Sequence, residues 1–483
     1  MTNEEKTISS SSIVNVPSYW REYPERDVEY VRWYPSAVGP LSESDIWTKE
    51  PFVFYIHIPF CNNVCSSCLY NKFNTQGDLV SKYLVALKKE IVNYASRPYL
   101  KDGECISGYF GGGTPTALST PQLEDLLTVV FQQFNMRKDA SFTIETTPNE
   151  VDGEKAAMLL EHGVDRISMG VQSFDDTLLK NIGRTHTAEK ARKKLAELRK
   201  AGFKHVCIDL MCGLPGQTLK QWEDTIDEFL SLKLESLSIY TYLVIPDSKL
   251  YSEIQRGSMP PPPSAEVLNE MYNIGVKKIL RGGYFAVTAN DFGRDPFGKG
   301  LEKWGPEVQV YNLGEEGLNA MVASTFPPTA HLNHTWYECG DLLALGSGAY
   351  GYIKDHMYLN EPNIHEYITR LESGKLPIVS GSYVSPEEKM ARSMVLGTKF
   401  LKLLRKDFEK QHGVDMMQIF GEQIKTLEQR GLIEMSEDAL QVTFPKGWYY
   451  MDNISKAFYT PFNYRLPQPS PMNTNILKYL KRK

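Results

Sequence analysis

Residues 52–68 read FVFYIHIPFCNNVCSSC. The first seven are β-branched, aromatic or otherwise bulky with one polar break, the pattern of a strand buried on both faces. Pro59 stops it, and the loop that follows sets Cys61, Cys65 and Cys68 apart by three and then two residues. Three thiolates at that spacing can face one iron–sulfur cube and leave its fourth iron without a protein ligand, open to a substrate or cofactor. A zinc site is the competing reading. It calls for a fourth Cys or His at suitable spacing, and the nearest ring nitrogen, His57, falls inside the apolar strand. Seven cysteines in 483 residues are too few, and odd in number, for a disulfide framework. The clustered three therefore read as metal or redox chemistry, and Cys105, Cys207, Cys212 and Cys339 as buried filler.

Beyond the loop, Leu79, Tyr83, Leu84, Leu87 and Ile91 recur at helical spacing, completing a β-loop-α unit. The unit repeats through ISGYFGGG, SFTIETTP, RISMGVQSF, HVCIDLMCGLPG and LSIYTYLVIP, each followed by a segment rich in Leu, Ala, Glu and Lys. Six strands alternating with helices predict an α/β fold with a parallel sheet, either doubly wound or a complete or partial barrel. Polar and glycine residues gather at the carboxyl ends of these strands, where such folds place their sites. The predicted organisation is an irregular arm over 1–50, the barrel core over 51–260, and barrel completion with a substrate-covering insertion over 261–384. A small winged-helix-like domain over 385–460 and a tail over 461–483 follow. Residues 284–345, rich in Gly, Asn and Pro, read as a covering loop rather than a core element.

A net charge of −6 without a sustained basic stripe excludes a nucleic-acid footprint. No stretch approaches the length of a membrane-spanning helix and the first 20 residues carry no leader pattern, so a cytoplasmic address is expected. Gly111, Gly112 and Gly113 allow a ligand to approach the backbone closely, and no Gly-Lys-Ser/Thr follows to make a phosphate loop. Glu145, Gln172 and Asp209 end the third, fourth and fifth strands. Any one could merely cap a helix, but three in register with a cysteine loop point to ligand binding.

YIHIPFCNNVCSSC resembles the signature of radical S-adenosylmethionine (SAM) enzymes related to oxygen-independent coproporphyrinogen III dehydrogenase. YFGGGTPTAL, IETTPNEV, RISMGVQSFDDTLLKNIGRTHT, DLMCGLPGQT and GSGAYG follow in that family's order, between residues 52 and 460. The resemblance implies a partial (β/α)6 radical SAM barrel, a 4Fe-4S cluster on Cys61, Cys65 and Cys68, and two SAM molecules. Gly112, Gly113 and Thr114 would contact the methionyl part of SAM. Glu145 and Asp209 would hold the first molecule with Tyr55 beside the cluster, and Gln172 and Arg184 the second, in a pocket completed by LGSGAY (345–350). Arg184 offers a guanidinium fork suited to a carboxylate. Ser67 departs from an aromatic residue common before the last cysteine.

Coproporphyrinogen dehydrogenase carries a fourth cysteine two residues beyond the last ligand, where Leu69 and Tyr70 follow Cys68 here. RWYPSA (Arg32–Ala37) nevertheless resembles the arm that covers its porphyrinogen. NDFGR and LNHTWYECGDLLALGSGAYG resemble class C radical methyltransferases. The expectation is transfer of a methyl-derived carbon from the second SAM to an sp2 carbon of an unsaturated or aromatic small molecule, by methylation or cyclopropanation. Flavodoxin or ferredoxin is the electron donor implied. Tetrapyrrole oxidation and haem trafficking are the alternatives.

Overall fold

The computed structural model describes residues 50–294 and 327–460, except 64, 66, 67, 69, 70, 76, 98, 99, 101, 243 and 245–248, together with 34, 35, 39 and 41. They fall into two compact units, Ala37–Tyr383 and the part from Val384 onward, which also holds Tyr34. Most of RWYPSA, residues 295–326 of the insertion, and the tail lie outside the described residues.

In the larger unit the cysteine loop follows β1 (Phe52–Ile58), and five parallel strands succeed it: β2 (Cys105–Gly112), β3 (Met136–Thr146), β4 (Arg166–Gln172), β5 (His205–Cys212) and β6 (Ser236–Thr241). The connecting helices include α1 (Leu79–Ala95), α2 (Thr120–Gln133), α3 (Gly153–Glu161), α4 (Asp176–Asn181), α5 (Ala188–Ala201) and α6 (Leu219–Leu232). Local signals set their starts: Ser119 with Gln122 and Thr218 with Gln221 form reciprocal capping boxes at α2 and α6. The helix α7 (Ala265–Arg281) packs on α6 through Gly275, where a Cβ would stand 2.6 Å from the buried Trp222 Nε1. That nitrogen donates to the Met271 carbonyl at 2.7 Å.

The sheet is wider than the six strands read from the sequence. β7 (Tyr284–Ala286) and β8 (Asp291–Arg294) add antiparallel beside β6. On the other side of β1 stands a seventh parallel strand, β9 (Asp341–Leu345), followed by antiparallel β10 (Tyr350–Ile353), β11 (His356–Asn360) and β12 (Ile378–Tyr383). The order is β12-β11-β10-β9-β1-β2-β3-β4-β5-β6-β8-β7, an open, mostly parallel sheet in keeping with the expected α/β radical SAM architecture. The reading of 284–345 as a covering loop is therefore corrected in part. Phe52–Ile56 pair with Asp341–Leu345 across the centre of the sheet, so DLLAL is core. Its five residues follow a long irregular stretch and run into a glycine turn, which leaves too short an apolar run to announce a strand.

The smaller unit carries a three-stranded antiparallel sheet, Lys402–Leu404, Ala439–Val442 and Ile433–Met435 in that order, with helices Pro386–Gly397, Arg405–His412 and Met416–Gln429. Its interior includes a buried Lys399–Asp452 pair at 2.8 Å. Tyr34 is buried in this unit, with its ring 4.7 Å from that of Tyr459, its hydroxyl accepting from the Thr460 N–H at 3.0 Å, and its carbonyl accepting from Arg392. Among the described residues no helix is long and apolar enough to cross a membrane.

Candidate functional site

The cysteine loop leaves β1 at the carboxyl end of the parallel strands. Cys61 is buried, while Cys65 and Cys68 are half-buried. The Cys68 N–H donates to the Cys65 carbonyl at 3.3 Å, which holds the backbones of these two cysteines together. Burial pushes the Cys61 thiol up to about 11; the Thr114 hydroxyl, 3.5 Å from Sγ, opposes this, and Cys68 and Cys65 add to it. A thiol in that state gives up its proton on metal coordination. Among the described residues no three His, Cys, Asp or Glu side chains converge on a single ion. A cubane makes a different demand, three thiolates on three separate irons, and this donor set fits it.

The glycines at the end of β2 lie directly against this loop. The Gly113 N–H donates to the Ile58 carbonyl at 2.9 Å and the Thr114 N–H to the Phe60 carbonyl at 2.8 Å. Gly112 has φ +116°, and a Cβ there would stand 2.6 Å from His57 Cε1; one on Gly113 would stand 2.6 Å from the Phe60 carbonyl oxygen. Only glycine gives both the backbone angle and the space. His57 itself is fully buried, which lowers its ring to about 4. Its Nε2 faces the Asn71 carbonyl at 3.2 Å, which can only accept, so Nε2 carries the proton and Nδ1 accepts from the Tyr55 hydroxyl at 2.9 Å. The sequence places Tyr55 beside the cluster as a cofactor contact; in the structure its hydroxyl is engaged by this histidine.

Two clusters of the expected cofactor residues stand further along the strand ends. Glu145, on β3, accepts from the Tyr109 hydroxyl at 2.8 Å and the Gly112 N–H at 3.1 Å. This joins it to the glycine edge. Gln172 and Arg184 converge over Gly170, where a Cβ would lie 2.8 Å from Gln172 Nε2 and 3.5 Å from an Arg184 terminal nitrogen. Gln172 adopts φ 70° beyond a register shift in β4, a strained backbone for a non-glycine residue, and its buried Oε1 has no hydrogen-bond partner among the described residues. An orphaned acceptor beside a guanidinium fork suits a polar ligand with both a donor and a carboxylate. Asp209 lies between the two groups: it is in register with Gly170 and accepts from Ser168 Oγ at 3.3 Å, and Ser168 is in turn in register with Glu145. Burial raises its carboxyl, and Arg166, Ser168 and Arg184 oppose that rise.

Sequence reasoning missed the residues that lock these loops together. Asn62 donates to Glu150 at 2.7 Å, Asn63 to the Gly183 carbonyl at 3.1 Å, and Asn149 to Thr185 at 2.8 Å. The cysteine loop is thereby tied to the loop after β3 and to the turn after α4, the second tie one residue before Arg184. Lys155 Nζ donates to the carbonyls of Thr116 at 2.6 Å and Leu118 at 2.9 Å, holding the turn after Thr114 onto α3. No cue in a lysine within a helix marks such a clasp. Lys155→Met should leave three carbonyls without their cation and destabilise the chain by about 2 kcal/mol, measured by urea unfolding; an unchanged midpoint would show that the clasp carries no stability.

Known proteins resemble this chain in sequence and fold. The Radical SAM superfamily model matches residues 55–229 and the HemN C-terminal domain residues 384–450. The haem chaperone HemW of Bacillus subtilis is 32% identical over 391 residues, 80% of this chain and 94% of that protein. The oxygen-independent coproporphyrinogen III oxidase of Pseudomonas aeruginosa is 29% identical over 429 residues, 85% and 88% of the two chains. The crystal structure of coproporphyrinogen III oxidase (HemN) from Escherichia coli superposes with a TM-score of 0.73 at 22% identity, covering 92% of this chain and 98% of that one.

These relatives overturn the expectation of methyl or methylene transfer to an sp2 carbon, and of a radical SAM methyltransferase: across nearly their whole length they are haem chaperones and coproporphyrinogen oxidases. The segments that suggested methyl transfer do structural work. Asp291 of NDFGR opens the short strand β8 and accepts from Ser238 and Thr288, at 2.8 and 2.7 Å. LNHTWYEC forms a helical turn closed by the Asn333–Glu338 and His334–Glu338 contacts. The chain belongs to the radical SAM superfamily, in the group of coproporphyrinogen III oxidases and haem chaperones, and works with a 4Fe-4S cluster and S-adenosylmethionine.

Proposed function

We propose that this chain is a haem-handling radical SAM protein, binding a tetrapyrrole beside a cluster ligated by Cys61, Cys65 and Cys68. The observation that carries this reading is the relationship to a haem chaperone along 94% of that protein's length. When bound, the cluster and SAM supply one-electron chemistry on a sulfonium. The residues of the chain hold and orient. Gly112, Gly113 and Thr114 offer backbone to the methionyl group, and Glu145, held by Tyr109, accepts from its ammonium. Gln172, Arg184 and Asp209 form a second polar pocket, in which Arg184 would take the carboxylate of a second SAM. Reduction calls for an electron donor of flavodoxin or ferredoxin type.

Oxidation of coproporphyrinogen is the second reading, favoured by Tyr34: this residue of RWYPSA is buried in the smaller unit. Leu69 and Tyr70, standing where that enzyme's further cysteine would fall, count against it. The test is an anaerobic titration of reconstituted protein with haem. A Soret band that saturates near one haem per chain, with no product from coproporphyrinogen III, SAM and dithionite, is the expected result. Carbon dioxide release from the porphyrinogen would establish the second reading; neither signal would sink both.

A further inference from the structure

The glycine turn 345–350 is governed by a buried acid on the far side of β1. Glu90 lies on α1, fully buried, and among the described residues no cation makes hydrogen-bond contact with it. Its Oε2 accepts from the Gly346 N–H at 2.9 Å and the Tyr367 hydroxyl at 2.5 Å, and its Oε1 from Asn360 Nδ2 at 2.9 Å. Three donors converge on one carboxyl, an arrangement complete only when both oxygens are acceptors. Two helical turns earlier on α1, the Tyr83 hydroxyl donates to the His57 carbonyl at 2.6 Å and accepts from the Ser347 N–H at 3.1 Å. Gly346, at φ +98°, lies so close to β1 that a Cβ would stand 2.5 Å from the His57 carbonyl oxygen. A Cβ on Gly348 would stand 3.0 Å from Nδ2 of Asn71, the residue whose carbonyl holds the His57 ring. Glu90, the turn and the strand that launches the cysteine loop form one continuous contact.

We propose that Glu90 is a positioning residue for the cofactor pocket: as a carboxylate it pins the Gly346–Gly348 turn against the end of β1. The proposal rests on the reading of that turn as a wall of the second SAM pocket. It names a clasp that works from behind the site and touches neither cofactor.

The ionisation has a consequence that packing alone lacks. Burial lifts the Glu90 carboxyl to about 7, against the pull of Tyr367, Gly346 and Asn360. The other titratable groups around it are Tyr83, Tyr367 and the buried Tyr94; burial raises Tyr83 and Tyr367 well above the ordinary phenol value, so those two stay neutral in this range. Below pH 7 a proton on Glu90 turns one acceptor into a donor facing an N–H or O–H, and the turn loosens. Global stability runs the other way, since a carboxyl raised on folding contributes stability that is full below its unfolded value of about 4.3 and is lost as the pH climbs through 7.

The experiment measures SAM affinity by anaerobic equilibrium dialysis on cluster-reconstituted full chain from pH 6 to 8.5, for wild type, Glu90→Gln and Tyr367→Phe, with iron content recorded for each. Wild type should tighten about tenfold over this range. Glu90→Gln should keep its iron, bind at the weak level and show no pH dependence, and Tyr367→Phe should retain a pH dependence shifted in midpoint. A Glu90→Gln protein that binds SAM as wild type does, with the same pH profile, overturns the proposal. Haem titration of the same samples separates the two ideas, because a failure to bind haem removes the functional reading and leaves the SAM profile to decide Glu90.

Discussion

Cys65→Ala yields a folded chain without its cluster. Iron in the reconstituted protein should fall from about four to below about one per chain, the charge-transfer absorption near the visible edge should vanish, and reductive cleavage of SAM should drop to background. Cys65 is the informative choice because it is only half-buried and its thiol makes no side-chain hydrogen bond among the described residues, whereas Cys61 is buried against Thr114. Cys105→Ala is the matching control: that thiol is fully buried at the start of β2 and donates to the Ser107 carbonyl, away from the loop. It should cost some stability and leave the iron in place. Retention of iron by Cys65→Ala, or its loss from Cys105→Ala, would move the cluster elsewhere.

Gly112→Ala should weaken SAM binding by about a hundredfold. The residue's φ of +116° is nearly closed to L side chains, and the new methyl would press on the His57 ring at 2.6 Å. The strain is worth about 1–3 kcal/mol. Relieving it would push His57 off the Tyr55 hydroxyl and draw the Gly112 N–H away from Glu145, each about 1 kcal/mol. A hundredfold corresponds to about 2.7 kcal/mol, just below the roughly 3–5 kcal/mol that these contributions reach together. Gly153→Ala, at the start of α3 with nothing within 4 Å of an added Cβ, should bind SAM unchanged. Equal affinities for the two variants would mean that the glycine edge does not face the cofactor.

The parts of this site that were legible in the sequence are the ones the chain writes locally. Cys61, Cys65 and Cys68 fall within eight residues of one another; Glu145 and Gln172 stand at the ends of apolar strands, and Asp209, read from the sequence as a strand end, interrupts the apolar strand His205–Cys212 three residues before its close. What joins them is long-range and looks ordinary. Glu90 follows Lys88 and Lys89 on an amphipathic helix, as a solvated face would read, yet its partners lie 256 to 277 positions away. Asn62 and Asn63 read as polar loop filler because Glu150 and Gly183 come near only when β3 and β4 align. The fold was legible through its repeating β-loop-α units. β9 was not, since four apolar residues behind Asp341, set between an irregular stretch and a glycine turn, carry no periodicity. The methyl-transfer reading failed for a related reason: it took a strand opening and a tightly held glycine turn, features that positioning alone explains, as marks of a particular reaction.

The most direct test of the central claim is the electron paramagnetic resonance spectrum of the dithionite-reduced, reconstituted protein before and after adding SAM. Coordination of SAM at an iron that Cys61, Cys65 and Cys68 leave open should shift the g values of the reduced cluster, and Cys65→Ala should give no such signal. A reduced cluster whose spectrum is the same with and without saturating SAM would contradict the account.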